Sequence, residues 1–170
     1  MIRILAILPT VWLAAVMDTS LAPVWSIGIV APDLMALAAL TWIFLSRHRS
    51  DPLWVGIIGL AADLIAAGRV GPGMAAFALA GYGLTVLRSH VRLENPVLQT
   101  ICVWIIVTLI ALLVTVAGRL LGDTMSNWPS ALTLAGAVGA YTAAIALPLL
   151  LVMGWLWEPL TGIRAGREAA

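Results

Sequence analysis

Charge is scarce in this sequence. Nine arginines and eight acidic residues are the only formally charged side chains among 170 residues, lysine is absent, and 62% of the residues are apolar. A soluble domain has about 25% charged residues, so this chain has too few to cover a surface in contact with water. A soluble enzyme, a disordered segment and a nucleic-acid-binding protein are therefore excluded as classes. The composition predicts an integral membrane protein with a single polytopic domain over 1–170.

Cysteine and catalytic motifs are also missing. The single cysteine, Cys102, excludes a disulfide within the chain and a cysteine-based metal site. The sequence contains no Ser-His-Asp set, no HExxH motif, no phosphate-binding loop and no glycine-rich nucleotide fingerprint. We therefore expect a protein that is not an enzyme and that has no catalytic residues, no metal site and no cofactor.

What the sequence has in abundance is apolar runs separated by proline and glycine. A transmembrane helix needs about 20 mostly apolar residues. Proline stands in the first turn of four of the runs, where its missing N–H group has no partner to lose, and Pro148 inside the last run predicts a kink. The predicted fold is an all-α bundle of six transmembrane helices, with spans at 4–21, 32–46, 52–67, 73–88, 97–118 and 130–157.

The distribution of arginine predicts the orientation of these spans. With six spans, both termini lie on one side of the membrane, and that side holds seven arginines: Arg3, Arg47, Arg49, Arg88, Arg92, Arg164 and Arg167. The opposite loops hold only Arg69 and Arg119. Cytoplasmic loops carry the excess of arginine, so we expect both termini in the cytoplasm. A rival interpretation takes residues 1–22 as a cleaved signal peptide, which removes one span without changing the sidedness of the rest.

Three aspartates and one arginine fall toward the outer ends of the predicted spans. Asp18 lies late in the first span, Asp33 opens the second, and Asp63 lies late in the third, shortly before Arg69. Carboxylates within a membrane are costly and therefore mark an outer-side polar cluster or a contact with a partner. The simpler alternative is capping of helix ends, which the helix dipole favours at Asp33. Arg69 is a candidate to neutralise Asp18 or Asp63.

Small residues recur at helical spacing in three of the spans. Such stripes let two helices approach closely and mark contacts inside one bundle more often than a partner interface. The predicted helix-packing glycines are Gly56, Gly59, Gly73, Gly136 and Gly139.

Four ordered motifs resemble the rod shape-determining protein MreD family. They are Met17-Asp18-Thr19-Ser20-Leu21 at the end of the first span, Gly28-x-x-x-Pro32-Asp33-Leu34 at the start of the second, Gly56-x-x-Gly59-Leu60-x-x-Asp63-Leu64 in the third, and the Gly71-x-Gly73 turn followed by Gly81-Tyr82. The resemblance covers about residues 1–90 in motifs and the whole chain in length and number of spans.

The resemblance implies a non-catalytic, multi-pass scaffold or regulatory subunit of the bacterial inner (cytoplasmic) membrane. Such proteins maintain rod shape together with MreC, a bitopic protein, in the cell-wall elongation machinery. That machinery couples actin-like filaments to a peptidoglycan glycosyltransferase and transpeptidase. The implied fold is similar to the membrane-embedded substrate-binding subunit of energy-coupling-factor transporters. Asp18, Asp33 and Asp63 match the family's acidic positions.

Two other functions remain open. The first is the small-molecule-binding membrane subunit of a vitamin transporter of the energy-coupling-factor type. Those subunits dock on their partner through an Ala-x-x-x-Ala stripe in the first helix, whereas here Ala6 is followed at i+4 by Thr10 and Ala14 by Asp18. The second is a lipid-handling protein. For every one of these functions the sequence predicts contact with the lipid bilayer.

Overall fold

The computed structural model describes residues 2–20, 24–45, 51–66, 70–90, 95–122 and 127–161. Within these ranges the side chains at 2–8, 10, 11, 45, 51, 52 and 153–161 lie outside the description. The six helices are α1 (Ile2–Ser20), α2 (Leu34–Leu45), α3 (Asp51–Ile65), α4 (Pro72–His90), α5 (Pro96–Leu120) and α6 (Trp128–Thr161). The described residues form no β-strand apart from one isolated bridge between Ile27 and Val30.

The expected all-helical fold is confirmed, with one helix at each of the six predicted segments. The helices differ greatly in length, from 12 residues in α2 to 34 in α6. Two of them, α5 and the Trp128–Val152 part of α6, have the length and apolar composition needed to cross a membrane. Pro148 does not end α6, which continues to Thr161.

Helix α2 lies at the centre of the bundle. It contacts all five other helices, which follow one another around it in the order α1, α3, α4, α5, α6. Within the described ranges α1 and α6 both contact α2 but not each other, so the ring of helices is open between them.

The sequence of α2 suits this central position. The helix carries no charged residue and is apolar on all sides, as expected of a helix enclosed by others. Met35, Leu40 and Ile43 are almost completely buried. Ala36 and Ala39 are also buried, and their small side chains let neighbouring helices come close.

Helices α3 and α4 form a hairpin in which glycine allows close contact. A Cβ atom added at Gly59 would lie 2.6 Å from Phe77 Cβ and 2.8 Å from the carbonyl oxygen of Gly73. At Gly56 the nearest atom would be Ala78 Cβ, at 3.3 Å. The two predicted packing glycines of α3 therefore both face α4.

Helices α5 and α6 form a second hairpin. A Cβ atom at Gly139 would overlap the hydroxyl of Thr108 and lie 2.9 Å from the carbonyl oxygen of Trp104. Gly136 differs, because a Cβ atom there would meet nothing within 4 Å. Its contribution to the contact is the carbonyl oxygen, which accepts a hydrogen bond from Trp104 Nε1 at 3.3 Å.

The two kinds of helical glycine predict opposite effects of the same substitution. Gly59→Ala should lower the free energy of unfolding by about 1–3 kcal/mol, because the added methyl group meets backbone and Cβ atoms that cannot move aside. Gly136→Ala should raise it by up to about 1 kcal/mol, because alanine is the better helix former and the space is open. Unfolding of the purified variants in detergent measures both. A loss of stability at Gly136 equal to that at Gly59 would contradict the packing described.

Candidate functional site at the start of α2

The first turn of α2 receives a hydrogen bond from α1. Asp18 lies two residues before Ser20, the last residue of α1, and its Oδ1 accepts the N–H of Leu34 at 3.1 Å. Leu34 is the first residue of α2, where the backbone N–H has no partner within its own helix. The carboxylate of α1 therefore completes the beginning of the next helix.

Asp33, the residue directly before α2, caps the same helix. Its Oδ1 accepts the N–H of Ala36 at 2.7 Å, which is the bond expected of an N-cap residue. The predicted span starts at 32, whereas α2 begins at Leu34, because Asp33 is its N-cap residue. Two carboxylates thus meet at the positive end of the α2 dipole.

Helix α6 holds Asp33 in place through a buried threonine. The N–H of Asp33 donates to Thr142 Oγ1 at 3.0 Å, and that hydroxyl donates in turn to the carbonyl oxygen of Val138 at 2.8 Å. Thr142 is completely buried. The start of α2 is therefore tied to α1 by Asp18 and to α6 by Thr142.

The segment between α1 and α2 is also tied to α6. The hydroxyl of Tyr141 donates to the carbonyl oxygen of Trp25 at 2.6 Å. After Trp25 the chain makes a tight turn, closed by two reciprocal backbone hydrogen bonds between Ile27 and Val30 at 2.9 and 3.2 Å. Gly28 has a φ of 65° in this turn, a conformation that glycine adopts without strain.

Asp63 occupies a second, separate position, at the start of α4. Its Oδ2 accepts the N–H groups of Gly71 at 2.7 Å and Met74 at 3.1 Å, and its Oδ1 accepts the N–H of Gly73 at 2.9 Å. Gly71, with a φ of 126°, is restricted to glycine and has no side chain that can cap α4. Asp63 on α3 supplies the missing acceptor.

Gly73 makes room for this carboxylate. A Cβ atom at Gly73 would overlap Asp63 Oδ1. Gly73, the predicted packing glycine of α4, therefore leaves the space that the Asp63 carboxylate needs to reach the start of α4.

The structure thus divides the predicted outer-side cluster into two places. Asp18 and Asp33 share the start of α2, and Asp63 binds the start of α4. Arg69 lies outside the described residues, so its expected pairing stays a prediction. The hydrogen bonds of all three aspartates are those expected from the alternative interpretation, in which these residues cap helix ends.

The other end of α2 is bound by Arg88, one of the seven arginines that the sequence analysis places on the cytoplasmic side. Arg88 Nη1 donates to the carbonyl oxygen of Ile43, in the last turn of α2. The last carbonyl groups of a helix lack partners in their own helix, and an arginine there also suits the helix dipole. Among the seven arginines from which the orientation is predicted, Arg88 is the one whose side chain is described.

The hydroxyl of Thr41 in α2 is buried and makes no hydrogen bond to any residue that the structure describes. Other helical threonines, such as Thr85 and Thr115, donate to the carbonyl oxygen four residues earlier. Thr41 is thus an unsatisfied group at the centre of the bundle.

The side chains of the site bind backbone groups at helix ends. Carboxylate oxygens accept N–H groups, and these charge-assisted bonds are stronger than neutral ones. Among the described residues, no three His, Cys, Asp or Glu side chains are placed to hold a metal ion. His90 lies at the opposite end of α4 from Asp63, where its Nδ1 is 2.9 Å from both Ser89 Oγ and the carbonyl oxygen of Val86.

The sequence alone does not identify several residues of the site. Thr142, Tyr141 and Arg88 act on groups that are 109, 116 and 45 residues away in the chain. No local spacing identifies such partners.

Comparison of the chain with protein families, curated proteins and solved structures gives no match.

Two threonines of the bundle provide a matched test of the site. Thr142→Val should lower the free energy of unfolding by about 1–3 kcal/mol, because it leaves the N–H of Asp33 without an acceptor. Thr41→Val should raise it by about 1 kcal/mol, because a methyl group replaces a hydroxyl that has no partner. Both are measured by unfolding in detergent. Stability changes of the same sign at the two positions would contradict these assignments.

Proposed function

We propose that the chain is a multi-pass protein of the bacterial inner membrane, with six spans and both termini in the cytoplasm. Helices α5 and α6 have the length and composition of spans. The shorter α2 is enclosed by the other helices, and a helix buried in protein does not need to match the full thickness of the bilayer. The excess of arginine on one side supports the orientation.

We propose further that this protein is a non-catalytic scaffold or regulatory subunit of the cell-wall elongation machinery, of the MreD type. The observation that carries the proposal is the use of the three aspartates in the MreD-like motifs. Asp18, Asp33 and Asp63 all bind backbone N–H groups at helix starts. Their carboxylates therefore stabilise the protein's own helices, which is expected of residues that shape a membrane scaffold.

The expected partners are an MreC-like bitopic protein, the elongation glycosyltransferase and transpeptidase, and the actin-like filament machinery. Large apolar side chains are exposed on several helices, among them Trp12 on α1, Leu79 on α4 and Leu151 on α6. In a membrane these faces contact lipid or the apolar helices of partner proteins. Partner contacts are therefore expected on helix faces within the bilayer and on the segments that join the helices.

Depletion of the protein from its native cells, combined with affinity purification from membranes, tests the proposal. We expect depleted cells to lose their rod shape and the purified protein to bring down the MreC-like protein. Normal shape after depletion, together with recovery of no elongation protein, would contradict the proposal. Tight binding of a vitamin to the purified protein would instead favour the transporter-subunit alternative.

A further inference from the structure

The two hairpins of the bundle present exposed apolar faces of very different height. On α5 the exposed apolar side chains extend over 97–120, which corresponds to about 35 Å at about 1.5 Å per residue. On α3 they extend only over 53–64, or about 17 Å, and on α4 over 74–87, or about 20 Å. The hairpin of α3 and α4, the short hairpin, therefore has an apolar face of about half the height of that on α5.

Polar groups set the height of the short hairpin at both ends. At one end Asp63 on α3 accepts N–H groups at the start of α4, so the chain turns back directly after α3. At the other end the apolar face of α4 stops at Leu87, and Arg88 and His90 occupy the last turn. Basic residues at this level suit the phosphate groups of lipids. The face therefore cannot be lengthened at either end.

The outer face of the short hairpin is not covered by other helices. Leu53 and Leu64 on α3 are 74% and 63% exposed, and Leu79 on α4 is 61% exposed. Helix α2 is also short, but the other helices surround it and separate it from lipid. In a membrane the short hairpin, unlike α2, has to match the thickness of the bilayer beside it.

Tilting cannot produce this match. The hydrocarbon core of a bilayer is about 30 Å thick, so α5 is long enough to cross it with a tilt. A tilt only reduces the distance that a helix covers across the membrane, and the short hairpin already covers too little. A short face in contact with lipid is matched when the bilayer itself becomes thinner.

We propose that the outer face of α3 and α4 is a lipid-binding surface that selects phospholipids with short acyl chains and thins the bilayer on this side of the protein. The inference rests on the proposed function, since it requires the helices to span a membrane. The bilayer keeps its full thickness beside α5. The protein thus adjoins a thin bilayer on one side and a thicker one on the other.

Lipid selectivity at each face tests the inference in the purified full-length protein, in a Cys102→Ala background. A bimane fluorophore is attached at Ile57→Cys on α3 or at Leu109→Cys on α5, two side chains that are 45% and 46% exposed near the middle of their helices. The vesicles contain equal amounts of dimyristoleoyl- and dioleoyl-phosphatidylcholine, which have the same head group. Either lipid in turn is brominated at its double bonds, so that bromine quenching measures the share of each lipid beside the fluorophore.

At Ile57→Cys we expect the short-chain lipid to exceed the long-chain lipid by about twofold or more, because it fits the low apolar face. Leu79→Cys, a second reporter on α4, should show the same excess. At Leu109→Cys, the matched control, the short-chain lipid should show no excess.

The inference is overturned if the short-chain lipid shows no excess at Ile57→Cys and Leu79→Cys, or if it shows the same excess at Leu109→Cys. Quenching at Leu109→Cys alone would show that protein covers the short hairpin, which overturns the inference and leaves the proposed membrane placement standing. Absence of quenching at all three positions would overturn the membrane placement and with it the proposed function.

Discussion

A helix that begins inside an apolar bundle must find acceptors for its first N–H groups, and the architecture of this protein depends on how that requirement is met. Asp18 on α1 serves the start of α2, and Asp63 on α3 serves the start of α4. In each case a carboxylate near the end of one helix binds the beginning of the next helix and so joins the two. Because an unpaired N–H in such surroundings costs several kcal/mol, in the range of roughly 2–7, these few charges are structural necessities.

The same requirement explains why α2 can be so short and so buried. Side chains close both of its ends: Asp18 of α1 and the N-cap residue Asp33 at the start, and Arg88 of α4 at the end. The closure at the start draws α6 into the arrangement through Thr142. The segment that leads into α2 is thereby held against the middle of α6, where its apolar turn remains exposed.

The six helices and the three important aspartates could be predicted from the sequence, because apolar runs, breakers and isolated charges are local signals. Which helix start each aspartate binds could not be predicted, since membrane depth alone does not distinguish the start of α2 from the start of α4. Arg88, Tyr141 and Thr142 could not be assigned, because their partners lie far away in the chain. Gly73 and Gly136 look alike as small residues in a stripe, yet one admits a carboxylate and the other faces open space.

Residue-resolved hydrogen exchange of the amides that bind Asp63 tests the central claim most directly. The account predicts slow exchange at Gly73 and Met74 in the unmodified protein and faster exchange at both in Asp63→Ala, with Leu34, which binds Asp18, unchanged. Unchanged exchange at Gly73 and Met74 in the variant would show that the carboxylate does not hold the start of α4 and would contradict the account. Equal acceleration at Leu34 would also contradict it, because the starts of α2 and α4 would then not be held by separate carboxylates.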